Sequence, residues 1–175
     1  KWLVLRCTRI TDNALVHLAK MQKLEVLLAE LTQITDNGLD HITKLRSLKN
    51  LGLNHNAITD QGLPKLAALK HLEELWLENT DITDAGLPDL EKLTTLERLA
   101  IDQTEITDMG LARLQKALPG CKITRSRGLL TEAHIDANGK LFPALASINA
   151  KTTPPGGRRL SGLDFSNLPI TDQCL

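Results

Sequence analysis

The chain contains no tyrosine, and only two tryptophans and two phenylalanines in 175 residues. With tyrosine absent, a binding surface has tryptophan alone to supply the aromatic anchor that dominates many interfaces. An excess of one charge is absent too, because 21 basic residues cancel 21 acidic ones. Nothing in that balance favours nucleic acid or an anionic membrane as a partner. No apolar run is long enough to cross a bilayer and no signal peptide is visible, so membrane insertion is not expected. The three cysteines, Cys7, Cys121 and Cys174, lack CxxC spacing and do not form the pattern of a disulfide framework. HExxH, GxSxG, P-loop and GxGxxG signatures are missing as well. We therefore expect no enzyme activity, no cofactor and no metal site within these residues.

What the chain does have is a repeat. Ile-Thr-Asp-x-(Gly or Ala)-Leu begins at Ile10, Ile34, Ile58, Ile82 and Ile106, always 24 residues apart. Such a period indicates one supersecondary unit, stacked so that each copy buries its neighbour's apolar face. In the period opening at Leu48, Leu51 and Leu53 alternate with polar residues and Gly52, as in a strand with one buried face. Leu63, Leu66, Leu69 and Leu72 then recur every third residue, which keeps apolar groups on one side of a helix. Thr59 is placed to cap that helix, with Asp60 at the positive end of its dipole. Strands are expected to centre on residues 3–5, 27–29, 51–53, 75–77, 99–101 and 123–125, parallel and in order, with helices starting near 12, 36, 60, 84 and 108. The small polar column Thr8, Thr32, Asn56, Thr80 and Thr104 should bond the backbone of the neighbouring coil. Glycines 38, 62, 86 and 110 sit where helix interiors disfavour them, so they should serve close backbone approach.

These residues resemble the leucine-rich repeat family. The Leu-x-x-Leu-x-Leu-x-x-(Thr/Asn)-x-Ile-Thr-Asp-x-Gly-Leu form is similar to the bacterial variety built on Ile-Thr-Asp-x-Gly-Leu blocks. It also resembles the repeats of F-box substrate receptors, which are slightly longer and carry a Cys before that block; here only Cys7 comes near that place. The resemblance covers residues 1 to about 124. It implies an α/β solenoid with a parallel concave sheet and convex helices, and a binding surface rather than a catalyst.

The array is uneven at its ends. Residues 1–124 read as regular repeats, 125–159 as degenerate repeats or an irregular connection, and 160–175 as a resumed repeat stopping where a helix should start. A local deletion within one solenoid, a linker between two arrays and a functional insertion are all compatible with the middle stretch. No polar capping unit is visible, so the chain is expected to be a fragment, with self-association through the uncapped ends.

Adding 24 to each strand position lists the columns facing away from the helices. One reads Val4, Leu28, Gly52, Trp76, Ala100; its neighbours read Trp2, Val26, Asn50, Glu74, Arg98 and Arg6, Glu30, Asn54, Glu78, Asp102. Trp76 on such a face either covers the small neighbours Gly52 and Ala100 or anchors a partner. In the second case Leu28 supports it, and Glu74, Glu78, Asp102, Arg98 and Asn54 surround it and set a preference for a basic partner. The Asp12, Asp36, Asp60, Asp84, Asp108 ladder is accounted for by helix-start electrostatics, and the column His17, His41, Lys65, Asp89, Arg113 by a solvated convex face. The expected function is a non-enzymatic scaffold that binds another protein on the concave sheet. A targeting module of a larger enzyme, such as a ubiquitin ligase or kinase, and a small-ligand or glycan receptor are the alternatives.

Overall fold

The structure, a computed structural model, describes residues 1–125, so the expectations for the stretches beyond Arg125 lie outside the described residues. Six short strands form one parallel sheet in chain order: β1 (Trp2–Val4), β2 (Val26–Leu28), β3 (Asn50–Gly52), β4 (Glu74–Trp76), β5 (Arg98–Ala100) and β6 (Lys122–Thr124). Each residue pairs with the one 24 positions on, as Leu27 does with Leu51 and Leu51 with Leu75. The strands begin one residue earlier than the periodicity placed them. The ladder nevertheless continues past them, since Leu53 N donates to Trp76 O at 2.9 Å and His55 N to Glu78 O at 2.9 Å. The boundary therefore shifts while the pairing stands.

The convex side departs further from expectation. Instead of helices starting at 36 and 60, α2 spans Leu39–Ile42 and α3 spans Leu63–Leu66. The first coil has α1 (Asp12–Leu15) followed by a 3-10 turn over Val16–Lys20. The fourth has a 3-10 turn over Asp84–Gly86 before α4 (Leu87–Leu90), and the fifth has α5 (Asp108–Ala117). A leucine at every third position matches the three residues per turn of tight i to i−3 bonding better than the 3.6 of an α-helix. Leu69 N donates to Leu66 O at 2.9 Å and Leu72 N to Leu69 O at 3.3 Å, carrying each coil back to the next strand. Leu51, Leu53, Leu63, Leu66, Leu75 and Leu77 belong to one continuous aliphatic core running the length of the array.

The aspartates do something the sequence reading missed. Asp36 Oδ1 accepts from the Thr59 amide at 2.9 Å, and its Oδ2 accepts from the Thr59 hydroxyl at 2.6 Å. Asp12 holds Thr35 in the same way, Asp60 holds Thr83 and Asp84 holds Thr107. Each carboxylate is thus spent on the coil that follows, not on its own helix. The threonine passes the contact on: Thr59 Oγ1 accepts from Gln61 N at 3.2 Å, a turn bond in place of a cap on a helix starting at 60. The glycine column follows from this. A methyl group on Gly62 would overlap the Asp36 carboxylate, and one on Gly38, Gly86 or Gly110 the aspartate of the preceding coil. The backbone of Gly62 has φ of −79°, so the position needs the missing side chain and not a special conformation.

The small polar column behaves differently from expectation. Thr80 donates to Leu77 O at 2.6 Å and Thr104 to Ile101 O at 2.8 Å, both within their own coils. Only Asn56 reaches across, donating to Ala29 O at 2.8 Å and accepting from the Thr32 hydroxyl at 2.7 Å. A threonine hydroxyl extends only far enough to cap the carbonyl three residues back, whereas the longer amide spans two coils. One further column carries strain: Cys7, Leu31, His55, Asn79 and Gln103 all have φ between 50° and 60°. This left-handed residue turns the chain out of each strand, and its amide is fixed to the next coil, as for Leu31 N to Asn54 O at 2.9 Å.

Two stability outcomes follow. Leu75→Ala should lower the unfolding free energy by roughly 2–5 kcal/mol and Thr80→Val by about 1–2 kcal/mol, both read from urea melts. Gly62→Ala should destabilise the chain in the wild-type background but much less when Asp36→Ala is already present, with a coupling of about 0.5–3 kcal/mol in a double-mutant cycle. Strict additivity of the two losses would mean that the glycine does not accommodate the aspartate.

Candidate functional site

The concave columns come together as the period requires, but not as an open surface. Trp76 is only 1% exposed and packs with Leu28 and Ala100 in a second apolar cluster, with Val4 and Val26 alongside. Leu28 lies two strands from Trp76 and reaches it because Gly52, between them in register, has no side chain. The expectation of a solvent-facing tryptophan is therefore corrected: small neighbours on both sides let the ring lie down and fill a core of its own. Trp2, at the edge of the same sheet, is 43% exposed.

The polar residues flanking this stripe are buried as well. On one side Arg98 Nη1 donates to Glu74 Oε1 at 2.6 Å, and Asn50 also bonds that carboxylate. On the other, Glu78 N donates to Asn54 Oδ1 at 2.9 Å while Asn54 Nδ2 donates to Glu78 Oε2. Asp102 lies one strand step further on and adds its negative charge. Glu30, in the same column, was not among the candidate residues, although adding 24 to Arg6 reaches it. It is 2% exposed, and beyond its own amide neither carboxylate oxygen has a hydrogen-bond partner. The Arg6 Nε stands 3.9 Å away, and Glu30 Oε1 lies across Gly52, where any side chain would collide with it.

This crowding shows in the acidities. Burial, then the charges of Asp102 and Glu30, raise the Glu78 carboxyl to about 8. Burial also raises Glu30 and Glu74, against the opposing pull of Arg6 and Arg98. At neutral pH Glu78 is thus largely protonated. Among the described residues no group of three His, Cys, Asp or Glu side chains could hold a metal ion. Cys121 is a free thiol raised to about 11 by burial, far from the acidity of a nucleophilic cysteine. Cys7 is disulfide-bonded, which the cysteine spacing did not indicate. No helix among the described residues is long and apolar enough to cross a membrane.

Residues 46–89 match the family model for leucine rich repeats in two copies. These are leucine-rich repeats of the bacterial type. Among solved structures the chain is similar to an internalin, inlF, from Listeria monocytogenes, with 28% identity and a TM-score of 0.57 over 69% of this chain and 33% of that one. It is also similar to internalin C2 from the same organism, with 26% identity and a TM-score of 0.53 over 63% of this chain and 46% of that one. The chain thus spans about a third to a half of the length of these two structures. No curated protein matches it. Leucine-rich repeat proteins generally act as scaffolds for protein–protein interaction and are typically non-enzymatic.

The raised Glu78 acidity has a direct consequence. Its folded value lies above the ordinary 4.5, so the folded chain binds the extra proton and the stabilisation is complete below about 4.5. As pH climbs through about 8 that contribution is lost. The melting temperature should therefore fall from pH 5 to pH 9, and Glu78→Gln should flatten the slope. An unchanged slope in that variant would place the titration elsewhere.

Proposed function

We propose that the chain is a non-enzymatic scaffold that binds another protein through the concave sheet face. The observation that carries this is the composition of that face: an apolar stripe containing Trp76, bordered on both sides by polar and charged groups drawn from successive coils. Such a pattern, an aromatic centre within a charged rim, matches what concentrates binding energy at protein interfaces. Repeat solenoids present extended concave surfaces for this use. The partner's chemistry is set by Glu74, Glu78 and Asp102, which favour a basic surface, with Arg98 and Asn54 holding two of those carboxylates in place. Because these side chains are buried in this conformation, engaging them entails exposing them.

The test is an alanine scan of both faces against a bound protein. Trp76→Ala should weaken binding by about 2 kcal/mol or more, whereas His17→Ala and Asp89→Ala on the convex side should change it little. Binding should weaken as salt rises. In a Trp2→Phe background, where Trp76 is the remaining tryptophan, its quenching by acrylamide reports exposure of the face directly. Losses confined to the convex side would assign the interface there instead.

A further inference from the structure

We infer that the concave face takes a basic peptide segment lying across the strands, with cationic side chains seated between Glu30 and the Glu78–Asp102 pair, and that seating them expels a proton; this rests on the concave reading above. The geometry begins with Glu30, a carboxylate 2% exposed with no hydrogen-bond partner and one cation, Arg6, at 3.9 Å. A carboxylate taken out of water without donors is unfavourable unless a cation or proton comes to it. Its column continues through Asn54, Glu78 and Asp102, each one strand further along, so the carboxylates are spread at steps of about 4.8 Å.

That spread decides the class of ligand. No group of described side chains could hold a metal ion, so one inorganic cation does not satisfy the column. A peptide crossing the strands can bring several cations to it. The stripe of Val4, Leu28 and Trp76 beside it offers apolar surface for the alkyl stems of arginine or lysine. The charges around the site are Arg6 next to Glu30, Asp102 next to Glu78, and on the far side of the stripe Glu74 already engaged by Arg98. His55, bonded through Nδ1 to Asn79 at 2.8 Å, lies in the adjoining column, and burial lowers its basicity. Four carboxylates therefore stand against two arginines, one of which is committed to Glu74. Glu78, mostly protonated at neutral pH through burial and the charges of Asp102 and Glu30, ionises when a guanidinium reaches it, and its proton passes to solvent.

The experiment uses the full chain and two probes, octa-arginine and its neutral isostere octa-citrulline, in calorimetry at pH 7 in phosphate and in Tris buffer. Octa-arginine should bind and octa-citrulline should not, and the heat should differ between buffers by up to one released proton. Affinity should rise at least about ten-fold from pH 6 to pH 8.5. Glu30→Gln and Glu78→Gln should each weaken binding about ten-fold or more, and Glu78→Gln should abolish the buffer dependence. Equal binding by the Glu30→Gln/Glu78→Gln double variant, binding without proton release, or no binding would overturn the inference. If octa-arginine fails while Trp76→Ala still weakens binding of a protein, the concave face remains the interface and only its cationic preference is wrong.

Discussion

Every coil boundary depends on one contact, the two-pronged bond from an aspartate to the amide and hydroxyl of a threonine in the next coil. The backbone ladder and the leucine core tolerate small slips between neighbouring units, but this contact has a single geometry. It also sets what surrounds it. The glycine two residues after the next coil's aspartate has no side chain because the carboxylate occupies that space. The helices at Leu39 and Leu63 start late because Asp36 and Asp60 face the following coil instead of their own turn. Charge–dipole attraction at a helix start is worth less than about 1 kcal/mol at an exposed site, whereas two directed bonds to one carboxylate are stronger.

Much of this was legible in the residues. The period of 24 gave parallel pairing and register, because Leu51, Leu75 and Leu99 had to meet as successive rungs. The need for small residues at 38, 62, 86 and 110 was also readable, though not its cause. Less legible was the difference between a side chain that bonds its own coil and one that bonds the next. Thr80 and Asn56 share a column, yet only the amide is long enough to cross. Spacing by three was read as helical when it belongs to tighter turns, since both periods put leucines on one side over so short a stretch.

The candidate site was legible in its columns and not in its depth. Summing 24 brings Trp76, Leu28, Glu74, Glu78, Asp102, Arg98 and Asn54 onto one face. The burial of those side chains could not be read from alternation, which says only which side of the strand a residue takes. Glycine at position 52 is the clue that was available, for a gap in a column invites its neighbours to lie across it. Glu30 and Trp76 both do so, one bringing charge and the other a ring.

The left-handed residue that ends each strand bears on how such a chain can change. In every coil it falls at the same place, at Cys7, Leu31, His55, Asn79 and Gln103, and fixes the direction in which the backbone leaves the sheet. Inserting one residue before it would rotate the remainder of that coil and set aspartate, glycine and leucine out of step with both neighbours. Inserting a whole coil disturbs none of them. Length in this architecture is therefore a quantity that heredity can alter in whole units by duplication, while single insertions are confined to the loops beyond the ladder.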